Sequence, residues 1–227
     1  MIATALALSS QLALPRTYTA AGGPGGTPDF AGNPPYNRDC SSCHNGEKTG
    51  VLRVVDADHN PIPTSYVPGQ KYSWVVELGD ADAAKVRWGY ELTIMWDCGN
   101  PELANQTAGT LAPGDDYSNL KDGVIGNPPQ PDPSRKFLTH YGVRAGDSHV
   151  DGTFGGQSQG AHWPFSWTAP EKTDPPCGVK IYLVGVSADG DSTARNDNSF
   201  AATFPLSVNN PTAARRSTWG WVKKLWR

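Results

Sequence analysis

No apolar run in this sequence is long enough to cross a bilayer. The longest candidate, residues 2–14, falls short of the roughly twenty residues a spanning helix needs. It reads instead as the apolar centre of a secretory signal, with cleavage expected near Tyr18-Thr19-Ala20-Ala21, although the usual preceding basic stretch is missing. The alternative is a mature segment that packs on a neighbour. HExxH and phosphate-cradling glycine loops are absent, so the metalloprotease and nucleotide chemistries built on them have no residue support. Acidic residues are missing from the C-terminus. Of the 19 Lys and Arg, five lie beyond residue 210, where no Asp or Glu occurs; the body before it sets 14 basic against 22 acidic residues, a net −8. An acidic body with a basic tail argues against nucleic acid as a partner.

What is present points to β structure. Gly 25 and Pro 20, with eight Trp and eight Tyr, describe a turn-rich β protein rather than a helical one. Tyr72, Trp74, Val76 and Leu78 alternate with Ser73, Val75, Glu77 and Gly79. Trp88, Tyr90, Leu92, Ile94 and Trp96 alternate with Gly89, Glu91, Thr93, Met95 and Asp97. Period two over such lengths predicts half-buried strands. Trp163, Phe165 and Trp167 repeat the pattern, as do Phe200, Ala202, Phe204, Leu206 and Val208, while Val179–Val186 is apolar on both faces, as a central strand would be. Strands separated by Gly, Pro and Asn turns predict a mainly β chain folded as an antiparallel β-sandwich. Residues 99–135 read as polar loop, and the prolines from Asn127 to Pro133 speak against regular structure there; Lys136–Tyr141 reads as a further strand.

Four cysteines occur, and only Cys40 and Cys43 are close together. Cys98 follows one predicted strand and Cys177 precedes another, so they form a candidate disulfide, with two buried free thiols as the alternative. Such a bridge would constrain the unfolded chain by about 4–5 kcal/mol in the chain-entropy model, and it suits an oxidising compartment.

Cys40-Ser41-Ser42-Cys43-His44 has the spacing that attaches a c-type haem. Each thiol can form a thioether to a haem vinyl group, and His44 then falls beneath the porphyrin as the proximal iron ligand. The competing readings are a CxxC redox pair, half a zinc site, or a disulfide beside an incidental histidine. No βαβ pattern surrounds the motif, and no second close pair supplies the other ligands of a zinc site. Before the motif, residues 21–39 are rich in Gly and Pro, and Phe30, Pro34, Pro35 and Tyr36 are candidates to pack on a haem face or edge, or simply to form a linker.

The sixth iron position has five candidates in this chain, His59, His140, His149, His162 and Met95, with an open site or a ligand from another chain as the alternatives. Met95 alternates with core aromatics, which suits packing better than ligation. His59 falls in a turn. Asp56, Asp58 and Asn60 there begin like a calcium loop, but Pro61 replaces the required glycine and no glutamate closes it. Asp189, Asp191 and Asp197 likewise offer carboxylates for calcium without the full spacing, so a solvated loop between strands is the expectation. Two histidine ligands would make the iron an outer-sphere electron carrier.

The order of landmarks resembles the choice-of-anchor V family, related to the Reeler β-sandwich domain. The similarity is carried by Tyr66-Val67-Pro68-Gly69-Gln70-Lys71-Tyr72, Trp88-Gly89-Tyr90-Glu91-Leu92, Phe137-Leu138-Thr139-His140, Trp163-Pro164-Phe165-Ser166-Trp167-Thr168-Ala169-Pro170 and Val179–Asp191, downstream of the CxxCH. The resemblance implies an exported, surface-associated protein with a variable C-terminal anchor and no defined enzymatic activity. It also implies a histidine in the context of His140, which a strand would hold rigidly, making it the favoured sixth ligand. Two features depart from the family: the Cys98/Cys177 pair, and a C-terminus in which Trp219, Val222 and Trp226 stand at helical spacing among Lys223, Lys224 and Arg227. That segment suits a membrane interface or docking on another subunit.

The expected organisation is a signal-like segment over 1–21, a haem-attachment segment over 22–49, a Reeler-like sandwich over 50–210 and a basic, Trp-rich tail over 211–227. The expected function is an exported, periplasmic or cell-surface cytochrome with one covalent haem c. It would exchange electrons with a redox protein partner or within a larger assembly. The alternative is a surface-anchored binding or adhesion module in which the haem is structural or vestigial.

Overall fold

Alternating large apolar side chains cannot leave water unless the strands that carry them face one another, and that requirement organises the chain. The computed structural model describes residues 29–46, 50–125, 130–140, 160–171, 176–191 and 193–209. A short 3-10 turn at Cys40–Ser42 precedes ten strands: β1 (Val51–Asp56), β2 (Ser65–Tyr66), β3 (Lys71–Gly79), β4 (Arg87–Asp97), β5 (Thr110–Pro113), β6 (Ser118–Ile125), β7 (Gln130–His140), β8 (Gly160–Thr168), β9 (Gly178–Ala188) and β10 (Asn198–Val208). They form a four-stranded sheet in the order β1-β3-β8-β5 and a six-stranded sheet in the order β2-β10-β9-β4-β7-β6. Pairing is antiparallel apart from the short parallel contact of β2 with β10. The chain is therefore a β-sandwich, as its alternation predicts.

Between the sheets, Trp74, Val76, Leu78, Trp163, Phe165 and Trp167 meet Tyr90, Leu92, Ile94, Leu138, Ile181 and Leu183 in one core. Trp74 and Trp167 stack with ring centroids 5.4 Å apart, and Tyr90 lies 4.7 Å from Trp163. The indole Nε1 of Trp167 donates to the Ala108 carbonyl at 2.8 Å, so its polar edge is satisfied inside the core. β9 lies between β10 and β4, the central place its continuous apolar run requires.

Cys98 and Cys177 are disulfide-bonded, with Cα atoms 5.3 Å apart. The bridge ties the end of β4 to the start of β9, next to the Asp97↔Gly178 register pair. A bond of this kind belongs to an oxidising, exported setting. No helix among the described residues is long and apolar enough to cross a membrane. The signal-like segment 1–21, His149 and the basic tail lie outside the described residues.

Two expectations need correction. The stretch 99–135 is not all loop: it contains β5, β6 and the start of β7. Pro131 and Pro133 are tolerated because that half of β7 pairs only with β6, beyond a register shift at Asp122/Gly123, while β4 meets β7 only at Glu91↔Thr139 and Leu92↔Leu138. An edge position does not need every backbone N–H. β4 is also not half-buried. Gly89, Glu91, Thr93 and Met95 are as buried as the core face, because residues 29–33 lie over the outside of the sheet.

Candidate functional site

The outer face of the six-stranded sheet carries the motif. Glu91 projects outward from β4, and its Oε1 accepts the backbone N–H groups of Asp29 at 2.9 Å and Phe30 at 2.7 Å. Asp29 is ion-paired with Arg135 of β7 and accepts the Val124 N–H at 3.1 Å. Arg135 also donates to the carbonyls of Pro34 at 3.1 Å and Val124 at 3.2 Å. Tyr36 lies beneath two guanidiniums, with Arg38 at 5.2 Å and Arg135 at 5.6 Å from its ring centre. These contacts lay a chain segment without strand pairing across the sheet and deliver it to the motif.

At the motif the chain turns tightly. Asp39 caps the turn by accepting the Ser41 N–H at 2.9 Å, and the Cys40 carbonyl accepts from Cys43 at 3.1 Å and His44 at 2.9 Å. One turn therefore brings the backbone of Cys40, Cys43 and His44 together. Cys40 and Cys43 are not bridged to each other. Cys40 is half-buried and Cys43 exposed; enclosure of the Cys40 thiol, then the Glu91 and Asp39 carboxylates and the neighbouring Cys43, push its pKa well up. A thiol kept protonated is a poor thiol–disulfide nucleophile, since exchange requires thiolate.

His44 is locked in place. Its Nδ1 lies 2.8 Å from Oδ2 of Asp197, whose side chain is 0% exposed. Around them the motif is zipped to the β9–β10 connection: Asn45 N–H to the Ala194 carbonyl at 3.4 Å, Gly46 N–H to the Asp197 carbonyl at 2.8 Å, and Asn196 N–H to Asn45 Oδ1 at 3.2 Å. A side chain at Gly46 would collide with the Asp197 carbonyl. Asp197 was expected in a solvated loop or as a calcium candidate; burial against His44 overturns both. Asp191 instead folds back on its own loop, accepting the Thr193 N–H at 2.7 Å.

His140 reaches the same face from β7. The β4–β7 ladder stops at Thr139, and the His140 Nδ1 lies 3.1 Å from both the N and the O of Tyr90, on the backbone the ladder leaves. Its ring occupies the place where a Gly89 side chain would sit: a Cβ there would meet ring atoms at 2.7–3.0 Å. Gly89 follows the same alternation as Glu91, so the ring lies on the motif's side of the sheet. Ser199, Val186 and Gly89 are register partners in one row across β10, β9 and β4. The Ser199 hydroxyl donates to the His44 carbonyl at 3.5 Å at one end of that row, and His140 covers Gly89 at the other. Two strand spacings, about 10 Å, separate the ends.

The other candidates lie elsewhere. His59 is exposed and its Nδ1 lies 2.5 Å from Glu77 on the outside of the four-stranded sheet, where His162 pairs with Glu77 in register. Met95 is six residues, about 20 Å, along β4 from Gly89, packed with Ala31 and Phe137. Among the described residues no group of three or more His, Cys, Asp or Glu is arranged to hold a metal ion. An iron inside a porphyrin asks the protein for only two axial ligands, and the described histidines on the motif's face are His44 and His140.

Beneath the segment lie polar atoms that have no hydrogen-bond partner among the described residues: Glu91 Oε2, Thr139 Oγ1, Asn33 Oδ1 and Arg135 Nε. Burial, opposed by the Phe30 and Asp29 amides and reinforced by the Asp29 charge, pushes Glu91 up to about 8. Sequence reasoning missed Asp197, Glu91 and Gly89 as parts of this site. Gly89 alone left a signal, since a glycine amid strand aromatics marks a close approach.

No protein-family model matches the sequence, and no curated protein does. Among solved structures it is similar to the human F-spondin Reeler domain, with 18% identity over 71% of this chain and 91% of that one and a TM-score of 0.35. It is also similar to a cohesin module of a family 33 glycoside hydrolase from Clostridium perfringens, with 10% identity over 71% and 98% and a TM-score of 0.36. Both likenesses are loose and carry no argument; the sandwich assignment rests on the two sheets themselves.

Proposed function

We propose that this chain is an exported cytochrome with one covalent haem c, passing electrons to or from a protein partner. Cys40 and Cys43 would hold the haem through thioethers, and His44 and His140 would bind its iron. Bound there, the haem supplies a one-electron iron couple. The observation that carries the reading is the matched anchoring of two imidazoles on one face of one sheet. Each is held through Nδ1, His44 by the Asp197 carboxylate and His140 at the Tyr90 backbone. An Nδ1–H donated to the Asp197 carboxylate would leave Nε2 of His44 as the basic nitrogen, the arrangement that ligating histidines adopt. The same tautomer at His140 would have its Nδ1–H donate to the Tyr90 carbonyl rather than accept the Tyr90 N–H. The anchored Nδ1 atoms fix both ring orientations, the Cys40–His44 turn sets the spacing of thiols and imidazole, and the Val186 row floors the face between the two histidines.

The test is production of the full chain in an exporting host with c-type haem maturation, followed by reduced-minus-oxidised spectra of the mature protein. One covalent, low-spin haem per chain is expected. A mature protein with no c-type haem band overturns the reading. Haem that is retained but exchanges electrons with no one-electron carrier protein would instead favour a structural role.

A further inference from the structure

The His44–Asp197 contact joins residues 153 apart in the sequence through a fully buried carboxylate. Three backbone and side-chain bonds already fasten the motif to this connection without the Asp197 side chain: Asn45 to Ala194, Gly46 to the Asp197 carbonyl, and Asn196 to Asn45. Docking therefore does not require a carboxylate here. Burying one is costly unless it is well bonded. Its Oδ1 receives the Asp189 N–H at a long 3.4 Å, while the short contact, 2.8 Å, is to His44.

We propose that Asp197 is a positioning residue that sets the electron affinity of the haem site, holding His44 with Nδ1 as donor and giving its imidazole anionic character. The proposal rests on the reading that the chain carries haem. Two effects act in the same direction. A carboxylate that accepts the Nδ1 proton raises the basicity of the ligating nitrogen, which favours the ferric over the ferrous ion. A buried negative charge next to the ligand also opposes arrival of an electron more strongly than the same charge in water. The His140 Nδ1 lies against the Tyr90 backbone. Both effects of Asp197 hold the couple low. Reduction takes one electron from a carrier protein, which is oxidised, and breaks no bond at His44 or Asp197.

The test compares the full-length, haem-loaded wild type with Asp197→Asn by redox titration, alongside absorption spectra and thermal unfolding. Asn keeps the shape and an accepting oxygen but removes the charge. The reduction equilibrium is expected to shift at least tenfold toward the ferrous form, a rise of about 59 mV for one electron. An Asp197→Asn protein with normal spectrum and unfolding but an unchanged potential overturns the proposal and leaves the haem reading intact. A wild type without haem overturns the haem reading itself. A second measurement needs no variant: 15N NMR of the His44 ring in the haem-free wild type. The Nδ1–H tautomer with a strongly downfield ring proton is expected, and an Nε2–H tautomer overturns the proposal even if Asp197→Asn fails to fold.

Discussion

Gly89 works by lacking a side chain. The imidazole of His140 fills the volume that any Cβ at residue 89 would claim, so the glycine determines where that ring lies. Gly89→Ala is expected to displace His140 without touching a ligand, and His140→Ala to remove it. Both should convert a low-spin ferric spectrum to a high-spin one, read by absorption and electron paramagnetic resonance. An unchanged spectrum in His140→Ala would move the sixth ligand elsewhere. Glu91 bears on stability. Burial is the main cause holding its carboxyl at about 8, well above the ordinary value of about 4.3. Between those values the folded state binds the extra proton, so the contribution is full below pH ~4.3 and is lost as pH rises through 8. Glu91→Gln keeps an acceptor for the Asp29 and Phe30 amides. Urea unfolding at pH 5 and pH 8.5 should show wild-type stability falling by an amount on the order of a few kcal/mol, with a flatter response in Glu91→Gln.

Strands and segments divide the labour. β4, β9 and β10 form a stiff floor, and the segment from Asp29 to Gly46 is held on it by side chains rather than by ladder bonds. The buried Asp29–Arg135 pair is costly to desolvate, but its extra bonds to Val124 and Pro34 satisfy both charges. The Cys98–Cys177 bridge secures the opposite end of the same floor, clamping β4 to β9 across a separation of 79 residues. Replacing both cysteines by serine should cost about 4–5 kcal/mol in the chain-entropy model and lower the thermal midpoint. The haem spectrum should be unaffected, because Gly89 and Asp97 lie at opposite ends of β4.

The molecule presents two unlike outer surfaces. The six-stranded sheet is covered by the motif segment and buries charged groups there. The four-stranded sheet turns Glu77, His162 and the ion pairs of Glu77 with Arg53 and His59 to solvent. An ordinary small cytochrome c wraps its haem in helices; in the proposed cytochrome a sheet and one covering segment would supply the ligands. One haem conducts over no great distance alone, so longer transfer would require neighbouring chains.

Most of the architecture was legible in the sequence, because side chains in strands alternate with period two and a wrong register would strand Trp74, Trp163 and Trp167 in water. The CxxCH spacing is equally local, since its residues fall within one turn of chain. What the sequence alone could not reveal lies in contacts between distant residues. Prolines disguised β7, because only the tertiary pairing shows that its first half meets β6 alone and leaves one side of its backbone unladdered by β4. Glu91 looked like a solvent-facing strand residue until residues 29–33 closed over it. The sequence by itself determined that strands form and that Cys40, Cys43 and His44 fall within one turn of chain. Only the tertiary structure decided that Asp197 holds His44 and that His140 lies on the same face, since sheet order, not spacing along the chain, brings such residues together.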